Sequence, residues 1–151
     1  MSGLLVDRRA LESMMEWAQA AAPRETGGLL LGHFQQSVPV VVQAPEIHDS
    51  RATRVRYRRD VSAAGVMLAR ARREDSTSLI GYLGEWHTHP LPIGPSRRDR
   101  RAIAVLANSG DHDVFLVVLV AGRRGWTPSA LGVSADGVFT DLDATILEGS
   151  L

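Results

Sequence analysis

Apolar residues recur with a helical period in three parts of the chain. Between Asp7 and Ala22 they return every three or four positions, which predicts an amphipathic helix. The Asp7 carboxylate can cap its first turn, and Pro23 ends it. The same period predicts helices from Asp60 to about Arg73 and from Ser96 to Asn108. The side chains of the second helix expected to face the core are Val61, Ala64, Met67, Leu68 and Ala71.

Short apolar or alternating runs between these helices predict strands. Leu29–Leu31 is an apolar run flanked by glycines, and Val38–Val42 follows as its hairpin partner. Pro39 places that partner at a sheet edge or at a strand start. Val114–Val120 is apolar throughout, as in a central strand. The other predicted strands are Thr53–Arg59, Ser78–His89, Trp126–Val133 and Val138–Leu142, the last two joined by an Asp136-Gly137 turn.

The mixed order of helices and strands predicts an α/β fold with one sheet flanked by helices. The length of 151 residues is enough for one domain with its own core, so a single domain over residues 1–151 is expected. Internal repeats, low-complexity segments and linkers are not apparent in the sequence.

Composition restricts the chemistry that the chain can perform. With 44% hydrophobic and 23% charged residues it is typical of a globular protein. Because there are no cysteines, disulfides and thiolate metal sites are excluded. The formal net charge is zero, so nucleic acid is not an expected partner. No leader sequence or membrane span is recognisable, and a cytoplasmic location without a membrane partner is expected.

Two histidines at the end of an apolar run are the leading candidates for a metal site. His87 and His89 are two residues apart, so on a strand they would share a face about 7 Å apart along the chain. Asp99 follows in the first turn of a predicted helix and would add an oxygen ligand. Two His and one carboxylate, with a position left open, are typical of catalytic zinc. Each part has a simpler explanation, since H-x-H pairs are common on surfaces and Ser96-x-x-Asp99 is also a capping box.

Two further carboxylates are candidates for roles beside such a metal. Glu25 precedes the first predicted strand and would ordinarily be solvated, but next to zinc it would serve as a general base. Glu85 shares the strand face of His87 and His89 and would orient an imidazole from behind the ligands.

Arginines supply a candidate docking surface, because all 17 basic residues of the chain are Arg. Arg54, Arg56 and Arg58 alternate along one face of a predicted strand. Four more arginines crowd the first turns of a predicted helix, where positive charge is unfavourable: Arg97, Arg98, Arg100 and Arg101. Both are explained either as solvated surface or as docking sites for an acidic partner. By contrast, the acidic and histidine residues of the loop at 44–52 are interpreted as solvated polar residues rather than a metal site; they are Glu46, His48 and Asp49.

Three separated blocks of the sequence together resemble the JAMM, or MPN-plus, metalloprotease family, especially its short bacterial, deubiquitinase-like JAB-domain members. They are E-x-G-G-L-L-L-G at Glu25–Gly32, G-E-W-H-T-H-P at Gly84–Pro90 and P-S-x-x-D at Pro95–Asp99. The resemblance in element order covers nearly the whole chain. It implies a curved mixed β-sheet flanked by helices, with one zinc ion per chain.

The resemblance also implies roles for individual residues. His87, His89 and Asp99 would bind zinc, and Glu25 would be the general acid and base acting through a water in the fourth position. Ser96 would stabilise the oxyanion. The chain departs from the family pattern by having six rather than seven residues between His89 and Ser96, a change that bears on the placement of Ser96 more than on the ligands.

By this resemblance, the expected function is a zinc isopeptidase that cleaves after the C-terminal tail of a ubiquitin-like modifier. Its expected partners are the modifier, its conjugates and E1/E2-like proteins of a bacterial conjugation pathway, including one in antiphage defence. The extended tail is expected to add to a sheet edge near the site. Two alternatives remain open: a protease that processes a sulfur-carrier or modifier precursor, and a noncatalytic zinc-containing module that binds protein or nucleic acid.

Overall fold

The computed structural model describes residues 3–148, so the predicted domain span of 1–151 includes five terminal residues that lie outside the described range. The described residues form three helices and seven strands. None of the described helices is both long and apolar enough to cross a membrane. The helices are α1 (Arg8–Ala21), α2 (Val61–Glu74) and α3 (Arg97–Gly110), and the strands are β1 (Gly3–Asp7), β2 (Gly27–Gln35), β3 (Val38–Gln43), β4 (Gly81–His89), β5 (Val114–Gly122), β6 (Gly125–Val133) and β7 (Phe139–Leu147).

The seven strands form one mixed sheet that closes on itself. Their order is β1-β3-β2-β4-β5-β6-β7, and β1 pairs in parallel with both β3 and β7. β4 pairs in parallel with β5, whereas the other contacts are antiparallel. The predicted α/β class with a curved mixed sheet flanked by helices is therefore confirmed. Neither β1 nor the closure of the sheet was predicted.

The helix starts agree with the predicted caps. The side chains of Asp7, Asp60 and Ser96 each accept a hydrogen bond from a backbone amide in the first turn of the helix that follows. One inward position was wrong: Val61, the first residue of α2, is 71% exposed, and the first buried residue of this helix is Ala64, nearly one turn later.

Alternate residues along the strands divide the core between the two faces of the sheet. Leu30, Trp86 and Val117 pack with α1 on one face, and Trp86 stacks on Trp17 with ring centroids 6.0 Å apart. Leu29 faces the opposite way and packs with α2, and residues of β5 such as Leu116 pack with α3 on that same side. Since side chains alternate along β4, His87 and His89 point to the side that carries α2 and α3.

One predicted strand was wrong, and the structure distinguishes the two positions that were open for Pro39. The segment at 53–59 is irregular, because it crosses the surface without a strand partner, although its alternating sequence resembles a strand. β3 is not at an edge, since it lies between β1 and β2; Pro39 is instead near the start of β3, before the pairing with β1 begins at Val40.

Candidate metal centre and active site

The C-terminal end of β4 positions the two histidines. β4 is paired on both sides there, with His87 opposite Gly27 of β2 and opposite Val118 of β5. The two Nε2 atoms lie 3.2 Å apart, and both side chains are largely buried. A strand held on both sides leaves little freedom in the direction of these imidazoles.

Asp99 reaches the histidines from the first turn of α3. Its Oδ1 lies 3.1 Å from His87 Nε2, and its Oδ2 lies 3.3 Å from His89 Nε2. The capping box fixes the carboxylate, because Ser96 N donates to Asp99 Oδ2 at 2.7 Å while Asp99 N donates to Ser96 Oγ at 3.2 Å. Burial opposes ionisation of Asp99, but the hydrogen bonds from both imidazoles and from Ser96 N outweigh it and lower the pKa well below its usual range.

The three side chains fit a divalent metal ion. One ligand atom from each lies within 4.8 Å of the other two, and this is the only such group of His and acidic side chains in the described range. A tetrahedral ion with bonds of about 2.0–2.1 Å holds its ligand atoms about 3.3 Å apart. The two Nε2 atoms are 3.2 Å apart, and each has an Asp99 oxygen at a similar distance: Oδ1 is 3.1 Å from His87 Nε2 and Oδ2 is 3.3 Å from His89 Nε2.

The tautomer of one histidine also suits a ligand. His89 Nδ1 lies 2.6 Å from the carbonyl oxygen of Ile93, which can only accept, so Nδ1 carries a proton. Nε2 donates to Asp99 when the imidazole is protonated, and it is the nitrogen left to ligate a metal ion when the imidazole is neutral. Ile93 belongs to the shortened loop before Ser96. Sequence reasoning did not identify this contact, since it involves a backbone carbonyl and carries no side-chain signal.

Glu25 lies just before β2 and faces the same cavity as the three ligands. Its backbone N donates to Thr53 O at 2.7 Å, and its side chain is buried, at 7% exposed. Within residues 3–148 its carboxylate has no hydrogen-bond partner, which leaves both oxygens available to a ligand or a water. Burial raises the pKa of Glu25 from the ordinary 4.5 to about 7; the charges of His89 and Arg98 oppose this rise and that of Asp99 adds to it.

A reciprocal pair of threonines connects the Glu25 segment to the histidine strand. Thr26 N donates to Thr88 Oγ1 at 2.9 Å, and Thr88 N donates to Thr26 O at 2.8 Å. The hydroxyl of Thr26 then donates to Glu46 Oε2 at 2.6 Å. Each threonine is adjacent in sequence to a site residue, and both are buried. Sequence reasoning overlooked Thr88, between the two histidines, and Thr26, directly after Glu25, because neither side chain is a candidate ligand.

Ser96 faces the cavity, whereas Glu85 contacts Arg59 and Tyr82. Ser96 is exposed and lines the cavity, and its hydroxyl oxygen accepts from Asp99 N while its proton has no acceptor among the described residues. Glu85 lies 2.8 Å from Arg59 Nε and accepts from Tyr82 at 3.4 Å, and burial raises its pKa despite both contacts. Its predicted action on an imidazole stays a prediction.

The cavity beside the metal centre has a volume of about 510 Å³ and arginines on its walls. Of the predicted docking residues, Arg54, Arg56 and Arg97 line it, together with Arg98 and Arg101. Arg58 is exposed and lies outside this lining. In the loop at 44–52, Glu46 accepts from the Thr26 hydroxyl, Asp49 accepts from the backbone amides of Arg51 and Arg58, and His48 is exposed.

In this mixed barrel, two imidazoles and a carboxylate beside a buried glutamate form a group that could hold a metal ion of the kind used in hydrolysis. The chain belongs to the family of prokaryotic homologs of the JAB domain, whose sequence model matches residues 7–131.

Curated relatives carry hydrolase names. A CD-NTase/cGAS isopeptidase of Enterobacter hormaechei subsp. hoffmannii is 29% identical over 121 residues, which cover 78% of this chain and 65% of the relative's length. A probable metalloprotease, y4qB, of Sinorhizobium fredii is 26% identical over 132 residues, covering 83% and 80%. A solution structure of a Desulfitobacterium hafniense protein shares the fold with a TM-score of 0.75 at 19% identity, over 97% of this chain and 94% of that one. The family and these names support a peptidase-type hydrolase.

Proposed function

We propose that this protein is a zinc-dependent peptidase or isopeptidase that cleaves after the C-terminal tail of a ubiquitin-like modifier. The observation that carries the proposal is the buried Glu25 carboxylate, unpaired within the described range, beside the His87, His89 and Asp99 group. Two imidazoles and one carboxylate, in a chain without cysteine, suit a catalytic zinc ion with one open position. Bound there, zinc would act as a Lewis acid toward the substrate carbonyl and lower the pKa of water.

The protein side chains account for the proton transfers of amide hydrolysis. Glu25 accepts a proton from water as the water oxygen adds to the carbonyl carbon, and it returns that proton to the amine as the carbon–nitrogen bond breaks. In the metal-free protein burial raises the pKa of Glu25 to about 7, and a cation held by the neighbouring ligands would lower it toward the ionised form that accepts the proton. The free hydroxyl proton of Ser96 is available to the developing oxyanion, a contribution typically worth about 3 kcal/mol for a well-placed donor.

A modifier conjugate is the proposed substrate because of the relatives. The name of the Enterobacter relative specifies an isopeptidase of CD-NTase/cGAS, which is consistent with a conjugation pathway of bacterial antiphage defence. The modifier, its conjugates and the E1/E2-like enzymes that make them are then the proposed partners. Because the alignment spans less than two thirds of that relative, its substrate is extended to this chain only as part of the proposal.

The strand edges near the site are already occupied among the described residues, which argues against the expected addition of the tail to a sheet edge. β4 is already paired with β2 and β5, and at the site end of β2 the amide of Leu29 and the carbonyl of Gly27 bond to the 44–47 segment. The substrate tail is therefore proposed to lie in the cavity between the irregular 54–57 segment and the start of α3.

The test compares zinc content and cleavage in the wild-type protein and in Glu25→Gln. Both should contain one zinc per chain, and only the wild type should release modifiers from fusion proteins, because Gln keeps the shape of Glu but cannot accept a proton. Glu16→Gln is the matched control, since Glu16 is an exposed carboxylate of α1 outside the cavity. Full cleavage by Glu25→Gln would remove Glu25 from the mechanism.

Histidine variants test the metal ligands in the same assay. His87→Gln should lose both zinc and cleavage, whereas His48→Gln, at an exposed histidine outside the group, should retain both. Equal zinc content in His87→Gln and the wild type would contradict the proposed ligand set.

A further inference from the structure

We infer that the cavity beside the metal centre binds an acidic stretch of the substrate that also carries aliphatic side chains. This inference rests on the proposed function for the identity of the site, but its evidence is the charge and polarity of the cavity wall. It predicts that a tail or target segment rich in Asp or Glu is preferred and that a basic tail is disfavoured.

The charge of the cavity differs from that of the whole chain. Acidic and basic residues are equal in number overall, at 17 each, yet five arginines and only two carboxylates line the cavity. Those two are Glu25 and Asp99, which belong to the site itself. Any metal held by the triad would add further positive charge, so the wall favours a ligand that brings negative charge.

The five arginines are not used by the fold. They are exposed, and within residues 3–148 none forms a salt bridge or a side-chain hydrogen bond, whereas Arg8, Arg59, Arg70 and Arg100 have carboxylate partners. Two of them, Arg97 and Arg101, are four residues apart on one side of α3 at its N-terminal end, where the helix dipole disfavours positive charge. A cluster that is unfavourable for its helix and unpaired in the structure is explained by an acidic ligand.

Exposed aliphatic side chains lie among these arginines. Val55, Leu91 and Ile93 line the cavity and are 66%, 42% and 60% exposed. Tyr57, the aromatic residue of the lining, is partly buried against His87 and donates its hydroxyl to Ile47 O. Nucleic-acid sites present aromatic rings for base stacking, whereas aliphatic contacts beside guanidinium groups suit a peptide with acidic and apolar residues.

Binding of short labelled peptides tests the inference independently of turnover. One peptide alternates Glu or Asp with Leu, and its partner has Lys at each acidic position; anisotropy is measured with zinc and again with EDTA, so that direct ligation of the metal by the peptide is recognised. The wild-type protein should prefer the acidic peptide in both conditions. Arg97→Glu/Arg101→Glu should bind it roughly tenfold more weakly and gain affinity for the Lys peptide.

A matched variant and a second ligand decide the outcome. Arg72→Glu/Arg73→Glu makes the same charge change at exposed arginines near the end of α2, beside the start of β4 and thus at the opposite end of that strand from His87 and His89. It should alter affinity less than about twofold, because charges beyond the Debye length are screened. The Arg97→Glu/Arg101→Glu protein should melt no lower than the wild type, since acidic residues suit a helix N-terminus.

No preference between the peptides, binding lost with EDTA, or tighter binding of single-stranded DNA would overturn the inference. The two proposals can fail separately. If fusions are cleaved but acidic peptides are not preferred, the inference fails and the proposed function stands. If acidic peptides are preferred but no fusion is cleaved, the proposed function fails and the inference stands.

Discussion

Gly27 is the residue whose missing side chain allows β2 to approach His87. A Cβ built at this position would lie 2.4 Å from the backbone oxygen of Trp86, 2.8 Å from Cε2 of Tyr57 and 2.9 Å from the Cβ of His87. The Tyr57 ring stacks on the imidazole, with centroids 6.5 Å apart and planes 19° apart. The Tyr57 ring therefore lies against the His87 imidazole, and the β2 backbone lies beside the Cβ of His87. A methyl group at position 27 would have to displace one of these neighbours.

Gly27→Ala should weaken the metal site and disturb the pairing of β2 with β4 beside it. The methyl group would shift His87 and lower zinc affinity by roughly 10–100-fold, as happens when ligand orientation is lost, and unfolding free energy should fall by about 1–3 kcal/mol from overpacking. Zinc titration and urea denaturation measure the two effects. Gly65→Ala is the control: nothing lies within 4 Å of a Cβ there, and the change should stabilise α2 by about 0.5–1 kcal/mol. Unchanged zinc affinity in Gly27→Ala would show that the close approach does not position His87.

At the scale of elements, the site depends on how β2 and β4 meet at their ends. The Thr26 and Thr88 hydrogen bonds continue the pairing beyond the Gly27–His87 register, so they set the Glu25 segment against the two ligands. Thr88→Val keeps the shape of the side chain but leaves the amide of Thr26 without its acceptor, which should destabilise the fold by about 1–3 kcal/mol.

Kinetics distinguish a positioning role of Thr88 from a purely structural one. Thr88→Val should retain zinc and KM but lose kcat, because Glu25 would no longer be held in place, and Thr88→Ser should recover most of the loss. Equal kcat in the Val variant and the wild type would limit Thr88 to a structural role.

The elements also show why sequence reasoning reached some features and missed others. Capping residues such as Ser96 marked the helix starts correctly, since caps act on the adjacent turn. β1 has only five residues and runs directly into α1, and its pairing with β3 and β7 is nonlocal, so no periodic signal marked it. The alternation at 53–59 gave a false strand because a strand also needs a partner, and that segment has none.

At the scale of the whole molecule, the barrel brings together residues that are distant in sequence. Glu25 comes from the segment before β2, the histidines from β4 and Asp99 from α3. The motif spacing predicted the three ligands, and the structure places their ligand atoms together. The arginine-lined cavity could be only partly predicted, because Arg98 and Arg101 join Arg54 and Arg56 solely through the tertiary fold.

The buried carboxylate of Glu25 should make the stability of the metal-free protein depend on pH. Its pKa is about 7 in the folded state against 4.5 ordinarily, so between these values the folded state binds more protons and stability falls as pH rises. Glu25→Gln removes this penalty. With EDTA present, its Tm should therefore exceed that of the wild type clearly at pH 8 and much less at pH 5, while Glu16→Gln should show no such trend. A Tm difference of the same size at both pH values would mean that the folded and unfolded proteins bind protons at Glu25 equally. Burial destabilises the ionised form of the same carboxylate that would transfer protons. A larger gain in Tm at high pH, together with loss of cleavage in Glu25→Gln, would show that Glu25 lowers the stability of the fold and is needed for activity.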